Sequence, residues 1–110
     1  NDELLQNYYD DALNSLATLF KPFLSTTAVE DARTTFTLEM PSNFAAVLLD
    51  SLQKEVNSFV VDFILSLWLT LCGAPAELYA KKAAASLEAV SVKLYTRVAP
   101  QYEAPAQQQP

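Results

Sequence analysis

The fold is decided by the stretch Phe59-Val-Val-Asp-Phe-Ile-Leu-Ser-Leu-Trp-Leu-Thr-Leu-Cys72. It closes a longer segment, residues 44–72, that contains neither Gly nor Pro. A continuous helix over that segment would be about 43 Å long, at 1.5 Å per residue. Its first half is amphipathic, whereas its second half is apolar nearly all round. We therefore expect the second half to lie in the centre of a bundle or in an oligomer interface.

The composition favours a helical protein with one core. The chain has 110 residues, of which 51% are hydrophobic and 18% are charged, which suits one folded domain rather than a disordered chain. Gly occurs once, at Gly73, and both β-rich folds and phosphate-binding loops use glycine heavily. The net charge of −6 disfavours nucleic-acid binding, which needs clustered cations. A membrane span is not expected, because the apolar stretch is too short and contains Asp62.

Apolar residues at steps of three and four predict two further helices beside the central one. The predicted helices cover about 3–20, 43–72 and 75–98. Pro22 should stop the first helix, because its ring removes an internal hydrogen bond. Gly73 should end the second in a left-handed cap, and Pro75 should lie in the first turn of the third.

The ends of these elements carry two more expectations. Ser42 or Asn43 can cap the second helix by accepting a hydrogen bond from its first free amides. Residues 100–110 contain three prolines and a run of glutamines, which predicts a disordered tail. The prediction is therefore a single helical domain over residues 1–99, followed by that tail.

A change of period marks residues 34–40 as an extended segment. Phe36, Leu38 and Met40 alternate with polar residues, which is typical of a half-buried strand. Residues 25–35 read as an irregular connection, and no second strand is recognisable in the sequence. The strand should then pair with another strand, either within this chain or edge to edge between subunits, or lie extended with its apolar side chains on the helices.

The predicted fold class is mainly α. It is a three-helix up-down bundle with a long central helix and a short β segment between helices 1 and 2. The predicted core residues are Leu52, Val56, Phe59, Phe63, Trp68, Leu87 and Leu94. The predicted interface residues are Phe36, Leu38, Met40, Leu67 and Leu71.

The side chains offer little chemistry. The chain has no histidine, the commonest general base and metal ligand, and its single cysteine, Cys72, is expected to be a buried, inert thiol. We expect no catalytic residue, metal or cofactor, and hence no enzyme. Asp62 is the exception worth following, because it lies among apolar neighbours. If Asp62 is buried, it could have a function. The alternative is that it lies on the exposed side of its helix or forms a bond with a Tyr or Lys side chain.

Charge is unevenly distributed along the chain. Residues 1–31 carry six carboxylates against Lys21 alone. The third predicted helix carries four cations, Lys81, Lys82, Lys93 and Arg97, against Glu77 and Glu88. Segments of opposite sign favour either contact between helices 1 and 3 within the chain or head-to-tail contact between chains.

From Thr35 to Arg97 the chain resembles a group of small phage-related proteins. The shared features are the extended Phe-Thr-Leu-Glu-Met-Pro-Ser-Asn43, an apolar helix with a late Trp68, and a helix closing in Leu94-Tyr-Thr-Arg97. These proteins are encoded among the structural genes of phages and prophages of Bacteroidales gut bacteria. The resemblance implies a virion-assembly component of the tail or head–tail region, found in the bacterial cytoplasm or the virion.

Two functional hypotheses follow. The first is a non-enzymatic structural protein that assembles with copies of itself or with other proteins. The alternative is a small helical carrier that binds an apolar ligand in the bundle core. Its pocket would be lined by the aromatic residues Phe20, Phe23, Phe59, Phe63 and Trp68.

Overall fold

The first helix follows its apolar spacing closely. The computed structural model describes residues 2–31 and 33–99. Helix α1 covers Asp2–Phe20 and buries Ala12, Leu16 and Phe20, which recur every four residues on one face. A short 3₁₀ turn, Lys21–Phe23, contains Pro22 and ends the helix.

A β-hairpin follows, where the sequence predicted an irregular connection and a lone strand. Strand β1 (Leu24–Glu30) pairs antiparallel with β2 (Arg33–Leu38), with Thr27 opposite Phe36 and Glu30 opposite Arg33. Asp31 in the connecting loop has a φ of 53°, the left-handed conformation that tight hairpin turns use. The prediction of an irregular connection over residues 25–35 is wrong, and of the alternatives for the strand the structure shows pairing within the chain. The connection was misjudged because β1 is exposed on both faces beyond Leu24 and so shows no apolar alternation.

The second helix begins later than predicted. Helix α2 covers Leu49–Leu71 after a 3₁₀ turn, Ala46–Leu48, and no side chain caps its first amides. The predicted caps are wrong because residues 43–45 are engaged elsewhere. Phe44 forms an isolated antiparallel bridge with Arg97, and the Val98 N–H donates to the Asn43 carbonyl oxygen at 2.7 Å. This pairing holds the chain extended where the helix was expected to start.

The same pairing shortens the third helix. Helix α3 covers Glu77–Tyr95, whereas residues up to 98 were predicted to be helical. Gly73 has a φ of 74° in the turn after α2, as expected of a left-handed helix cap. Pro75 lies just before α3 rather than inside its first turn. The predicted tail, residues 100–110, lies outside the described residues.

The structure is mainly helical, with three helices and one two-stranded sheet among the described residues. α2 packs against both α1 and α3. A short turn connects α2 to α3, and these two helices run antiparallel. α1 and α3 barely contact each other. The described residues extend over 68 × 31 × 19 Å, with a radius of gyration of 18.3 Å. A compact chain of this length would have a radius of gyration of about 13 Å, so the molecule is elongated.

The core is formed by α2 with the facing sides of α1 and α3. Its buried members are Ala12, Leu16, Phe20, Leu52, Phe59, Ala83, Val90 and Leu94. Of the predicted core residues, Leu52, Phe59 and Leu94 are buried. Val56, Phe63 and Leu87 are partly buried against this cluster, but Trp68 is partly buried outside it. Phe63 is thus the last large apolar residue of α2 that packs on this cluster, although Ser66 is still buried.

Candidate interaction surfaces

The end of the α2–α3 hairpin carries apolar side chains that lie outside the core cluster. We call residues 64–82 the distal hairpin; they comprise the last two turns of α2, the connecting turn and the first turn and a half of α3. Its apolar side chains on α2 are Ile64, Leu65, Leu67, Trp68, Leu69 and Leu71. None of these six belongs to the core cluster; five of them are partly buried, and Leu71 is exposed. Leu71 is 57% exposed and Leu78 across the turn is 63% exposed.

Polar side chains do not interrupt this apolar surface. The Ser66 hydroxyl donates to the Phe63 carbonyl oxygen at 2.8 Å, and the Thr70 hydroxyl donates to the Ser66 carbonyl oxygen at 2.8 Å. Both hydroxyls are thus turned back onto their own helix. The distal hairpin therefore offers mainly apolar contact over α2, and the predicted interface residues Leu67 and Leu71 both lie on it.

The charged side chains of the distal hairpin lie on α3. Lys81 Nζ is 3.4 Å from a Glu77 carboxylate oxygen, and both side chains are highly exposed. Lys82 Nζ lies 5.4 Å from the centre of the Tyr79 ring. An exposed ion pair of this kind contributes about 0–1 kcal/mol, so Lys81 remains free to exchange partners.

A second apolar surface is an open groove between α1, β2 and α2, with a volume of about 890 Å³. Its apolar lining is Tyr9, Leu13, Leu16, Phe20, Phe36, Leu38, Met40, Phe44, Leu49, Leu52, Val56, Val60 and Val61. Leu49 and Val61 are 54% and 56% exposed. Arg33, on β2, is the charged side chain among the lining residues. The groove is thus a mainly apolar surface that is partly open to solvent, and one arginine side chain lies at its wall.

Three predicted interface residues lie in this groove. Phe36, Leu38 and Met40 are partly buried and pack against the core cluster. The Phe36 ring meets the Phe20 ring edge to face, with centroids 5.4 Å apart. Their apolar faces are therefore directed into the molecule, and within the chain the strand pairs with β1.

The five aromatic residues predicted to line a carrier's pocket do not come together in this groove. Of the five, only Phe20 lines the groove. Phe23 lies 5.3 Å from the Tyr95 ring and 5.8 Å from the Arg97 guanidinium carbon. Phe59 is in the core with Phe63 beside it at 5.4 Å, and Trp68 lies on the distal hairpin. The sequence missed the groove because its other walls come from β2 and the extended residues before α2.

The remaining candidate groups are isolated. Cys72 is exposed rather than buried, because α2 ends at Leu71 and the cysteine falls in the turn. Asp62 is partly exposed and has neither an ion pair nor a hydrogen bond with the described residues. Among the described residues, no three His, Cys, Asp or Glu side chains come together in a way that could hold a metal ion. No described helix has the length and apolarity to cross a membrane.

Comparison of the chain with protein-family models, with curated proteins and with solved structures gives no match.

Proposed function

We propose that this protein is a non-enzymatic assembly component that works through protein–protein contacts, built on an up-down arrangement of its three helices. The distal hairpin carries this proposal. Leu71 and Leu78 are 57% and 63% exposed beside five partly buried apolar side chains of α2 that lie outside the core cluster, and contiguous exposed apolar surface of this kind marks protein-binding sites. Burial against a protein surface would recover about 25 cal/mol per Å² of apolar area.

The first test is solution mass. Light scattering over a wide concentration range should show a wild-type mass that rises with concentration. The double variant Leu71→Asp/Leu78→Asp should remain a monomer, because each charge would have to be desolvated in the contact. The double variant Val29→Asp/Val47→Asp is the matched control, since Val29 and Val47 are 72% and 88% exposed but lie elsewhere. It should assemble like the wild type.

The setting we propose is the virion, on the likeness of residues 35–97 to proteins encoded among phage structural genes. Mass spectrometry of particles purified from the encoding host should find the chain in fixed proportion to other tail or head–tail proteins. Its absence from such particles would remove the virion from the proposal. A wild-type protein that is monomeric at every concentration and also absent from particles would overturn the assembly function itself.

The groove favours a second candidate function, the binding of a small apolar ligand. Its volume of about 890 Å³ falls within the roughly 300–1,000 Å³ of small-molecule sites. Trp68 lies outside the groove, so its fluorescence is a poor reporter. Displacement of a bound apolar dye by fatty acids, lost in Leu13→Glu but kept in Leu78→Glu, would support the carrier. No dye binding by the wild type would dismiss it.

A further inference from the structure

The groove between α1, β2 and α2 has one charged lining residue, Arg33. The part of the chain that builds the groove, residues 2–62, carries ten carboxylates and three cationic side chains. Even so, no carboxylate is among the described residues that line it. An acidic chain therefore presents a mainly apolar surface whose single charge is positive.

The Arg33 side chain is available to an anion. It is exposed, and it forms neither a hydrogen bond nor an ion pair with another described residue. Glu30 stands opposite Arg33 on β1, and Asp31 lies in the loop before β2, but neither carboxylate lines the groove. Attraction between exposed charges of this kind is weak, so these carboxylates do not withhold the guanidinium from a ligand. A guanidinium can bind a carboxylate through two parallel hydrogen bonds.

The other polar side chains of the groove are neutral. Gln53 Nε2 donates a hydrogen bond to Asn57 Oδ1 at 3.2 Å, so these two amides partly satisfy each other. Thr34 and Thr35 follow Arg33 on β2 and add only hydroxyl groups to the lining. The charge complementarity of the groove therefore depends on Arg33 alone.

The groove is long, and its charge lies at one end of β2. Arg33 and Leu38 begin and end this strand, about 17 Å apart at 3.4 Å per residue. Along α2 the lining runs from Leu49 to Val61, about 18 Å at 1.5 Å per residue. A surface of this length with apolar walls and one cation is complementary to an amphiphile that has a single alkyl chain and an anionic head.

From these observations we infer that the groove binds a single-chain carboxylic acid, a fatty acid, with its carboxylate at the Arg33 guanidinium and its alkyl chain along the apolar walls. This rests on the second candidate function, the binding of a small apolar ligand, and names the chemical class of that ligand. Burial of the alkyl chain supplies the affinity. Since Arg33 is exposed, the carboxylate keeps part of its water and gains a charged partner, and it is not desolvated without compensation.

Three ligands with the same chain and different heads test the inference. Decanoate, decanol and decyltrimethylammonium each compete with Nile red, a neutral apolar dye, at neutral pH. The ratio of decanoate affinity to decanol affinity should fall about fivefold in Arg33→Gln, because only the carboxylate loses charge-assisted hydrogen bonds. Decanol affinity should stay the same, and decyltrimethylammonium affinity should rise, since a like charge has been removed.

Lys54→Gln is the matched control. Lys54 is an exposed cation on α2 beside the groove-lining Gln53, but it does not line the groove itself. Its replacement changes the net charge of the protein by the same amount as Arg33→Gln. The ratio of decanoate to decanol affinity should therefore equal that of the wild type, and far-UV circular dichroism of both variants should match the wild type.

The outcomes separate this inference from the function beneath it. A ratio that falls in Arg33→Gln but not in Lys54→Gln supports the fatty-acid site. A ratio that changes in neither variant, or equally in both, overturns it and leaves the groove as a site for neutral apolar ligands. No binding of Nile red by the wild type overturns both the inference and the carrier. Self-association that is lost in the groove variant Leu13→Glu would show that a second copy covers the groove, and would also overturn the inference.

Discussion

A matched pair of leucine truncations measures where the core of this molecule ends. Leu16 on α1 is fully buried, whereas Leu71 on the distal hairpin is 57% exposed. Leu16→Ala and Leu71→Ala remove the same atoms from these two environments. The difference in their effect on the free energy of unfolding therefore reports burial and packing, not chemistry.

The expected magnitudes follow from that burial. Removing about three buried carbon groups at about 0.8 kcal/mol each costs about 2.4 kcal/mol in transfer energy. The cavity left behind raises the cost of Leu16→Ala to about 3–4 kcal/mol. Less than half of Leu71 is buried and its site is open to water, so Leu71→Ala should cost about 1 kcal/mol with no cavity cost.

Urea unfolding followed by far-UV circular dichroism gives both values. The measurement belongs at low protein concentration, where association adds no stability by mass action. If the urea dependence is about 1.5 kcal/mol per molar, the midpoint should fall by about 2 M for Leu16→Ala and by less than about 0.7 M for Leu71→Ala. Equal losses, or a loss below about 1 kcal/mol for Leu16→Ala, would refute the placement of the core at α1 and the first part of α2.

Two further predictions concern single contacts. Gly73→Ala should lower the free energy of unfolding, measured by thermal unfolding, by about 1 kcal/mol, because alanine is strained at a φ of 74°. An added Cβ meets no atom within 4 Å, so a loss above about 2 kcal/mol would point to a clash instead. Lys93 Nζ and the Glu55 carboxylate are 2.9 Å apart with side chains only 20% and 30% exposed, so Glu55→Gln and Lys93→Met should each cost about 1–2 kcal/mol. The double variant should lose clearly less than the two single losses combined, and strict additivity would mean that the pair does not interact.

The helices were predictable from the sequence because their signals are local. Apolar residues at helical spacing identified α1 and the greater part of α2 and α3, and Gly73 marked the turn between the last two. The start of α2 and the end of α3 were not predictable. They are set by the pairing of residues 43–45 with 96–98, which are distant in sequence, and such tertiary pairing overrides local helix signals.

The hairpin and the groove show a different limit. β2 was recognisable because one of its faces packs on the core, but β1 is exposed on both faces and carries no apolar period. Trp68 was expected in the core because large apolar residues usually are. A helix end that is apolar all round can be buried in a core or can lie beyond it. The sequence does not distinguish these two cases, and both the bundle centre and an oligomer interface were therefore expected for the second half of α2.

The account depends most on the distal hairpin as a protein-binding surface. Light scattering of the wild type, of Leu71→Asp/Leu78→Asp and of the control Val29→Asp/Val47→Asp over a wide concentration range tests this most directly. The account predicts that the wild type and the control gain mass with concentration, whereas Leu71→Asp/Leu78→Asp stays monomeric. A folded Leu71→Asp/Leu78→Asp variant that associates like the wild type would contradict it.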